Sequence, residues 1–298
     1  MEAFDDPEFG GINSSNIRIH NFLMLSICIL SLAGGIYWWS ETQAVHFVLL
    51  LVMYTLAVLG VNVGYHRYFT HRGFKCKPWF AYVLMLFGTL SASGPLLQWV
   101  RTHWCHHHFV DQTGDPHSPH LEKHKHKGAW YNFWYAHMGW VFSEPFPTKA
   151  LRPQDQKLLA LVNNSTIAQH GFGYYAVILI GILIPGIIAG LWTQSLMGAW
   201  LGILWGGFIR ISLVIHEEFS INSFCHLFGQ RTYDNKDNSR DNWFFGIVSL
   251  GEGWHNTHHR FPYSARHGLK WWQIDFSYYV IYLLEKCGII WDVKLPVK

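Results

Sequence analysis

Four uncharged apolar runs, Phe22–Trp39, Ala44–Tyr65, Pro78–Val100 and Gly171–Trp192, and a fifth that begins near Ser195 and continues towards Ile215, set the environment in which this chain folds. Each approaches the roughly 20 residues that an α-helix needs to cross a bilayer. Composition agrees: half of the 298 residues are hydrophobic, 17% are aromatic and only 14% are charged, a balance foreign to an ordinary soluble domain. The small net charge of +3, spread among apolar stretches rather than gathered in an arm, excludes a nucleic-acid partner. The acidic start, Met1 to Gly11, lacks the positive flank of a secretory signal, so the first run is expected to stay in the mature protein. Five cysteines without a C-x-x-C pair read as reduced thiols.

Charge placement orients the runs. The loop Ser40–Gln43 contains only Glu41, the turn at Thr193–Gln194 is uncharged, and every Lys and Arg except Arg210 lies outside these loops and runs. The positive-inside rule puts both loops outside and both termini in the cytoplasm. Arg210, inside the last run, is expected either to contact a substrate headgroup or to snorkel.

Twenty histidines are a large excess, and most fall in tight groups. His103-Trp-Cys-His106-His107 and His255-Asn-Thr-His258-His259 share the spacing i, i+3, i+4, which on a helix presents three imidazoles from one face. His66 and His71, five residues apart, diverge on a regular helix, so they either reach different metals or straddle a frayed helix end. Imidazole suits iron, zinc, copper and nickel alike. The count exceeds what one zinc takes, so two metals sharing the site is the economical reading. A carboxylate-rich bundle site requires paired Glu-x-x-His elements, and Glu252-Gly-Trp-His255 stands alone. Isolated histidines such as His46, His137, His170 and His267 read as packing residues, and Glu122–Lys127 as a solvated patch.

A single metal site requires the groups to share one side of the membrane. A fully crossing 78–100 segment would separate His66 from His103, so it is expected to be interfacial or re-entrant. The expected fold is all-α and integral to the membrane, with four spans near 22–39, 44–65, 171–192 and 195–216. A cytoplasmic helical cap, 101–164 and 222–298, rich in Trp and Tyr, then carries the histidine site.

At these residues the chain resembles the membrane fatty-acyl desaturases of the Δ9 (stearoyl) group, in their acyl-lipid and acyl-CoA branches. The similar landmarks, in order, are Gly64-Tyr-His66-Arg-Tyr-Phe-Thr-His71, Arg101-Thr-His103 with His106-His107, Gly114-Asp-Pro-His-Ser-Pro119, Ala136-His-Met-Gly-Trp140, Asn222-Ser-Phe-Cys-His226 and Gly251-Glu-Gly-Trp-His-Asn-Thr-His-His259. The resemblance implies two Fe2+ ions held by these eight clustered histidines, with His226 as a ninth ligand and Asn222 holding a metal-bound water. It leaves out His108. It also implies O2 as co-substrate and a cis double bond in a saturated chain bound in the membrane. Trp99 matches the family's acyl channel. Two residues depart from the pattern: Trp104 replaces the usual Arg of the second box, and Glu218 stands where Thr is common at the channel bend.

Alkyl carbon–hydrogen bonds are neither acidic nor polarised, which explains a metal site in place of an acid–base triad. No nucleotide fingerprint, paired-cysteine iron site or fused haem signature is present, so electrons are expected from a separate protein. Ferredoxin suits a bacterial inner or thylakoid membrane, and cytochrome b5 the endoplasmic reticulum. The rival readings are a membrane di-iron hydroxylase acting on acyl chains or alkanes and, from another class, a histidine-rich metal transporter, whose ligands belong within the spans.

Overall fold

Four helices are long and apolar enough to cross a membrane, and around them the rest of the chain is arranged. The computed structural model describes residues 14–143, 160, 162 and 165–296. The acidic N-terminal stretch and the 144–159 part of the expected cap lie outside the described residues. The principal helices are α1 (Ser14–Tyr37), α2 (Ala44–Thr70), α3 (Pro78–Thr89), α4 (Leu96–Phe109), α5 (Ala129–His137), α6 (Phe172–Thr193), α7 (Leu196–Leu227), α8 (Trp243–Val248), α9 (His255–Arg260) and α10 (Phe276–Lys286). Two short strands, β1 (Lys75–Cys76) and β2 (Ile290–Trp291), pair antiparallel and clip the C-terminal segment beside the end of α2.

The spanning helices expose Leu30, Leu51, Leu179 and Leu191, among others, as a surface for lipid requires. Short polar caps join them. Gln43 and His46 form a reciprocal cap at the start of α2, so His46 is a capping residue, and the Ser195 hydroxyl accepts from two amides at the start of α7.

The apolar stretches expected at 44–65 and 195–216 sit inside longer rods. With 27 and 32 residues, α2 and α7 extend about 40 and 48 Å, more than the roughly 30 Å of hydrocarbon. The overhangs carry His66 on α2 and Asn222 and His226 on α7. Both rods widen locally into π-helix, Gly60–Thr70 in α2 and Ile203–Ile209 in α7.

The 78–100 segment is two helices, not one. Twelve residues give α3 only about 18 Å, too short to cross. The chain then turns through Leu90–Pro95, with Ala92 at φ 60° and Gly94 at φ 115°, before α4 begins. α3 can lie directly on α2 because Gly60 and Gly64 present no side chain there: a methyl at Gly60 would overlap the Phe87–Gly88 backbone.

Arg210 neither reaches a headgroup nor snorkels. It is fully buried; Nη1 donates to the Leu90 carbonyl and Nε to the Gly206 carbonyl at 3.3 Å. The guanidinium therefore ties the turn after α3 to α7, because that turn leaves carbonyls no hydrocarbon can satisfy.

Gly60→Ala is expected to lower stability by about 1–3 kcal/mol through overpacking at the α2–α3 contact. Thermal unfolding in detergent checks this; an unchanged midpoint would show that the contact relaxes freely.

Candidate metal centre

The π-winding of α2 settles the divergence of His66 and His71. The His71 amide bonds to the His66 carbonyl at 3.0 Å, an i→i−5 turn, and the two ring centroids stand 4.7 Å apart. Residues five apart share a face when the turn itself spans five residues. Both histidines therefore join one group instead of two.

Each three-histidine helix divides its rings between two groups. His66, His71, His103, His107 and His258 bring one ligand atom each within 4.8 Å of one another, and His106, His226, His255 and His259 do the same. In the first group, Nε2–Nε2 separations are 3.1 Å for His66–His258 and His71–His103, 3.0 Å for His103–His107 and 2.9 Å for His107–His258. In the second, His226–His255 is 3.1 Å and His106–His259 is 3.4 Å. Two nitrogens bonded to one ion at about 2.1 Å stand about 3.0–3.4 Å apart, so the spacings suit shared cations.

Proton placement makes the stronger case. The Nδ1–H of His106 donates to Asp115 at 3.0 Å and that of His259 to Asp237 at 3.2 Å, which leaves bare lone pairs on both Nε2 atoms. Those lone pairs face each other. His66 is bound in the same way, its Nδ1 2.8 Å from Glu252. Facing lone pairs repel unless a cation lies between them, so the donor set fits two metal ions.

Carboxylates complete the outer layer. His226 Nδ1 stands 3.3 Å from Asp111, and Glu252 also meets His267 at 3.2 Å and Arg67 at 3.0 Å. Arg67, fully buried, is balanced by Asp275 at 3.0 Å. Four carboxylates, Asp111, Asp115, Asp237 and Glu252, thus remain against the histidines, a charge that two divalent cations would offset. Such partners fix ring orientation and raise ligand basicity.

Six of the rings are held neutral, as metal ligation requires, whereas in His106 the pull of Asp115 outweighs burial and shifts the ring upward. Burial, then repulsion from neighbouring imidazoles, pushes His71, His103, His107, His255 and His258 far below the ordinary value. Burial pushes His259 down to about 4 despite the opposing pull of Asp237. Burial favours the neutral Asp115 acid, but His106 more than offsets this and holds the carboxyl down at about 2.

Of the twelve residues singled out from sequence, the nine histidines converge. Asn222 lines a cavity shared with His66, His103 and His255. Trp99 and Glu218 line that same cavity: the Trp99 indole donates to Glu218 at 3.2 Å and stacks on His103 with centroids 4.9 Å apart. Ser93 donates to the other Glu218 oxygen at 3.0 Å. Trp104 leans on His71, its ring 6.2 Å away, and His108 is exposed. His137 bonds to Ser223 and His216, and His170 to Gln98. In the Glu122–Lys127 turn the lysines are exposed while His124 packs on Tyr135. The outer carboxylates, Arg67 and the buried His117 had no role from spacing alone. Arg67, Asp115, His117 and Glu252 were signalled only by position, Arg67 after His66, Asp115 and His117 in Gly-Asp-Pro-His, and Glu252 before Gly-Trp-His, whereas Asp111 and Asp237 lie in no motif.

The fatty acid desaturase family matches residues 42–281 of this chain. The chain belongs to that family. It is 39% identical over 288 residues to the hex-5-enoyl-[acyl-carrier protein] acetylenase of Moorena producens, covering 96% of this chain and 88% of that one. It is 34% identical to the sn-1 stearoyl-lipid 9-desaturase of Synechocystis, covering 92% and 79%, and 38% identical to that of Anabaena variabilis, covering 84% of each. The two histidine groups of this desaturase-family oxidoreductase are consistent with the family's di-iron site, and its four apolar helices make it a multi-pass membrane protein.

Asp115→Asn is expected to weaken metal binding about 10–100-fold by loosening His106. Titration of metal-free protein with Fe2+ measures it, and unaltered affinity would remove Asp115 from the supporting layer. Acid provides a second test. Unfolded histidines titrate near 6.5, whereas buried His259 titrates at about 4, so below pH 6.5 the unfolded chain takes up protons that the fold refuses. Stability of the metal-free protein should therefore fall from pH 6.5 towards 4. Asp115, ordinarily at 3.8 and held at about 2, keeps its contribution throughout that window. Thermal unfolding at pH 7.5 and 5 reads this directly; equal midpoints would contradict buried neutral rings.

Proposed function

We propose that this protein is an O2-dependent fatty-acyl desaturase that inserts a cis double bond into a saturated acyl chain at Δ9. The observation that carries the reading is the convergence of nine imidazole nitrogens, in groups of five and four, on the wall of a cavity in a desaturase-family chain. His66, His71, His103, His107 and His258 hold one iron. His106, His226, His255 and His259 hold the other, with Asn222 positioning a water.

When bound, the iron pair supplies O2 activation and the oxidising power to take two hydrogens from adjacent methylenes, using two electrons from a separate donor such as ferredoxin or cytochrome b5. The chain's own residues bind and orient. Trp99, held flat on His103 by Glu218, forms a rigid wall against which the acyl chain lies, and rigid placement decides which carbons react. Asp115, Asp237 and Glu252 keep the Nδ1 protons of His106, His259 and His66, so that each Nε2 stays free to ligate. Burial of the chamber excludes water from the reaction.

Short loops without Lys or Arg and a basic remainder support a topology with both termini and the histidine side in the cytoplasm and with 101–164 and 222–298 as the cap. The stearoyl-lipid relatives support Δ9 and a lipid-bound chain. A second reading, attack on a chain already unsaturated and linked to a carrier protein, is favoured by the 39% identity to the acetylenase.

Expression in a host that lacks unsaturated fatty acids, followed by mass spectrometry of double-bond positions, tests the proposal. A new cis alkene at Δ9 is expected. Hydroxylated chains without alkenes would overturn desaturation, an alkene elsewhere would overturn Δ9, and a triple bond from a supplied enoyl chain would favour the second reading. About two irons per chain are expected in purified protein. His107→Ala or His258→Ala should cut activity at least about a hundredfold; full activity in either removes that histidine from the ligand set.

A further inference from the structure

The chamber beside the histidines adjoins two further spaces among the described residues. It measures about 90 Å³ and shares Ser93, Gln98, Trp140 and Phe219 with a second cavity of about 50 Å³ that reaches α1. Opposite, a groove of about 370 Å³ runs between α2 and α7, walled mainly by Leu50, Leu51, Tyr54, Leu213, Phe245 and Val248. One residue lines both the chamber and this groove: Glu217.

Glu217 differs from its neighbour Glu218. Both oxygens of Glu218 accept hydrogen bonds, from Ser93 and Trp99. Glu217 is only 5% exposed and has no hydrogen-bond partner among the described residues. Its carboxyl is therefore a polar partition, one side chain thick, between the chamber and an apolar space.

The two outer spaces differ in chemistry. The α1 side offers His20, Asn21 and Gln98, and His20 Nδ1 is buried without a partner. Such polar atoms suit the ester or thioester end of an acyl group. The groove behind Glu217 is apolar and suits only the methyl end. A chain that enters past α1 and crosses the chamber meets Glu217 last.

We propose that Glu217 is the end-stop of the acyl tunnel and sets how many carbons lie beyond the reacting pair. The inference rests on the acyl-desaturase reading of the same chamber. An alkyl terminus gains nothing from a carboxyl and cannot push it aside into the apolar groove without moving that carboxyl away from the polar chamber, with Asn62, Ser93 and Asn222 on its wall, that it faces. Shortening the side chain joins the chamber to the groove, where each methylene newly housed is worth about tenfold or more in kcat/KM.

The test supplies membranes containing the iron-loaded protein with saturated acyl chains from decanoyl to docosanoyl and measures alkene formed at each length. Wild type should show a length cutoff. Glu217→Ala should move that cutoff to chains at least two carbons longer, raising their kcat/KM relative to the shortest substrate about a hundredfold, while Glu217→Gln, which keeps the bulk, retains the wild-type cutoff. Leu51→Trp, on the exposed wall of the groove, should leave the wild-type cutoff in place even if Glu217→Ala fails to fold. An active Glu217→Ala protein with the wild-type cutoff overturns the end-stop. So does a cutoff shifted by Leu51→Trp, since the chain would then already occupy the groove. Absence of any new alkene from loaded wild type fails the desaturase reading itself and the end-stop with it.

Discussion

Bare imidazole lone pairs that face one another across 3.4 Å or less are the constraint from which the rest of this structure follows. Nitrogens so placed repel, and the fold tolerates them because carboxylates on the far side of the rings dictate where the protons go. Asp115, Asp237 and Glu252 each claim an Nδ1 proton, which commits Nε2 to a metal. The buried negative charge that results would be costly alone. Two divalent cations bound at the Nε2 atoms would offset it, which makes the outer carboxylates and the metal-binding rings interdependent.

Building such a polar centre at the edge of a bilayer requires a particular use of helices. α2 and α7 overrun the hydrocarbon, and their overhangs supply His66, Asn222 and His226 from rods that the membrane itself holds in place. The π-turns adjust the winding where the ligands begin. α3 is short and turns back, so that His103, His106 and His107 of α4 arrive on the same side as His66. The cost of that turn is unpaired carbonyls in an apolar setting, which Arg210 relieves by donating to Leu90.

Much of this was legible in the residues. The i, i+3, i+4 histidine pattern is a helical signature that survives any packing, and the need for one common metal site was enough to demote 78–100 from a span. The i, i+5 pair was not legible, because helix geometry from sequence assumes a regular α-turn and the π-winding arises where α3 presses on Gly60 and Gly64. The role of Arg210 was hidden for a related reason: its partner is a backbone carbonyl 120 residues away, which no local pattern encodes. Asp115 and Glu252 sat inside recognised motifs without a role, and Asp111 and Asp237 lay outside them, since Asp237 reaches His259 only after the chain has folded back.

Sequence by itself determined the environment, the helical class, the four spans and the kind of chemistry, because hydropathy and helical periodicity are local properties. Tertiary structure decided how the nine imidazoles divide into five and four, since each histidine helix sends rings to both groups and only the packing of α2, α4, α7 and α9 assigns them. It also decided which side chains confine the acyl chamber. Glu217 and Glu218 are neighbours in sequence, yet one is locked to Trp99 and Ser93 while the other stands untethered between two cavities. That difference comes from what surrounds each carboxyl in space.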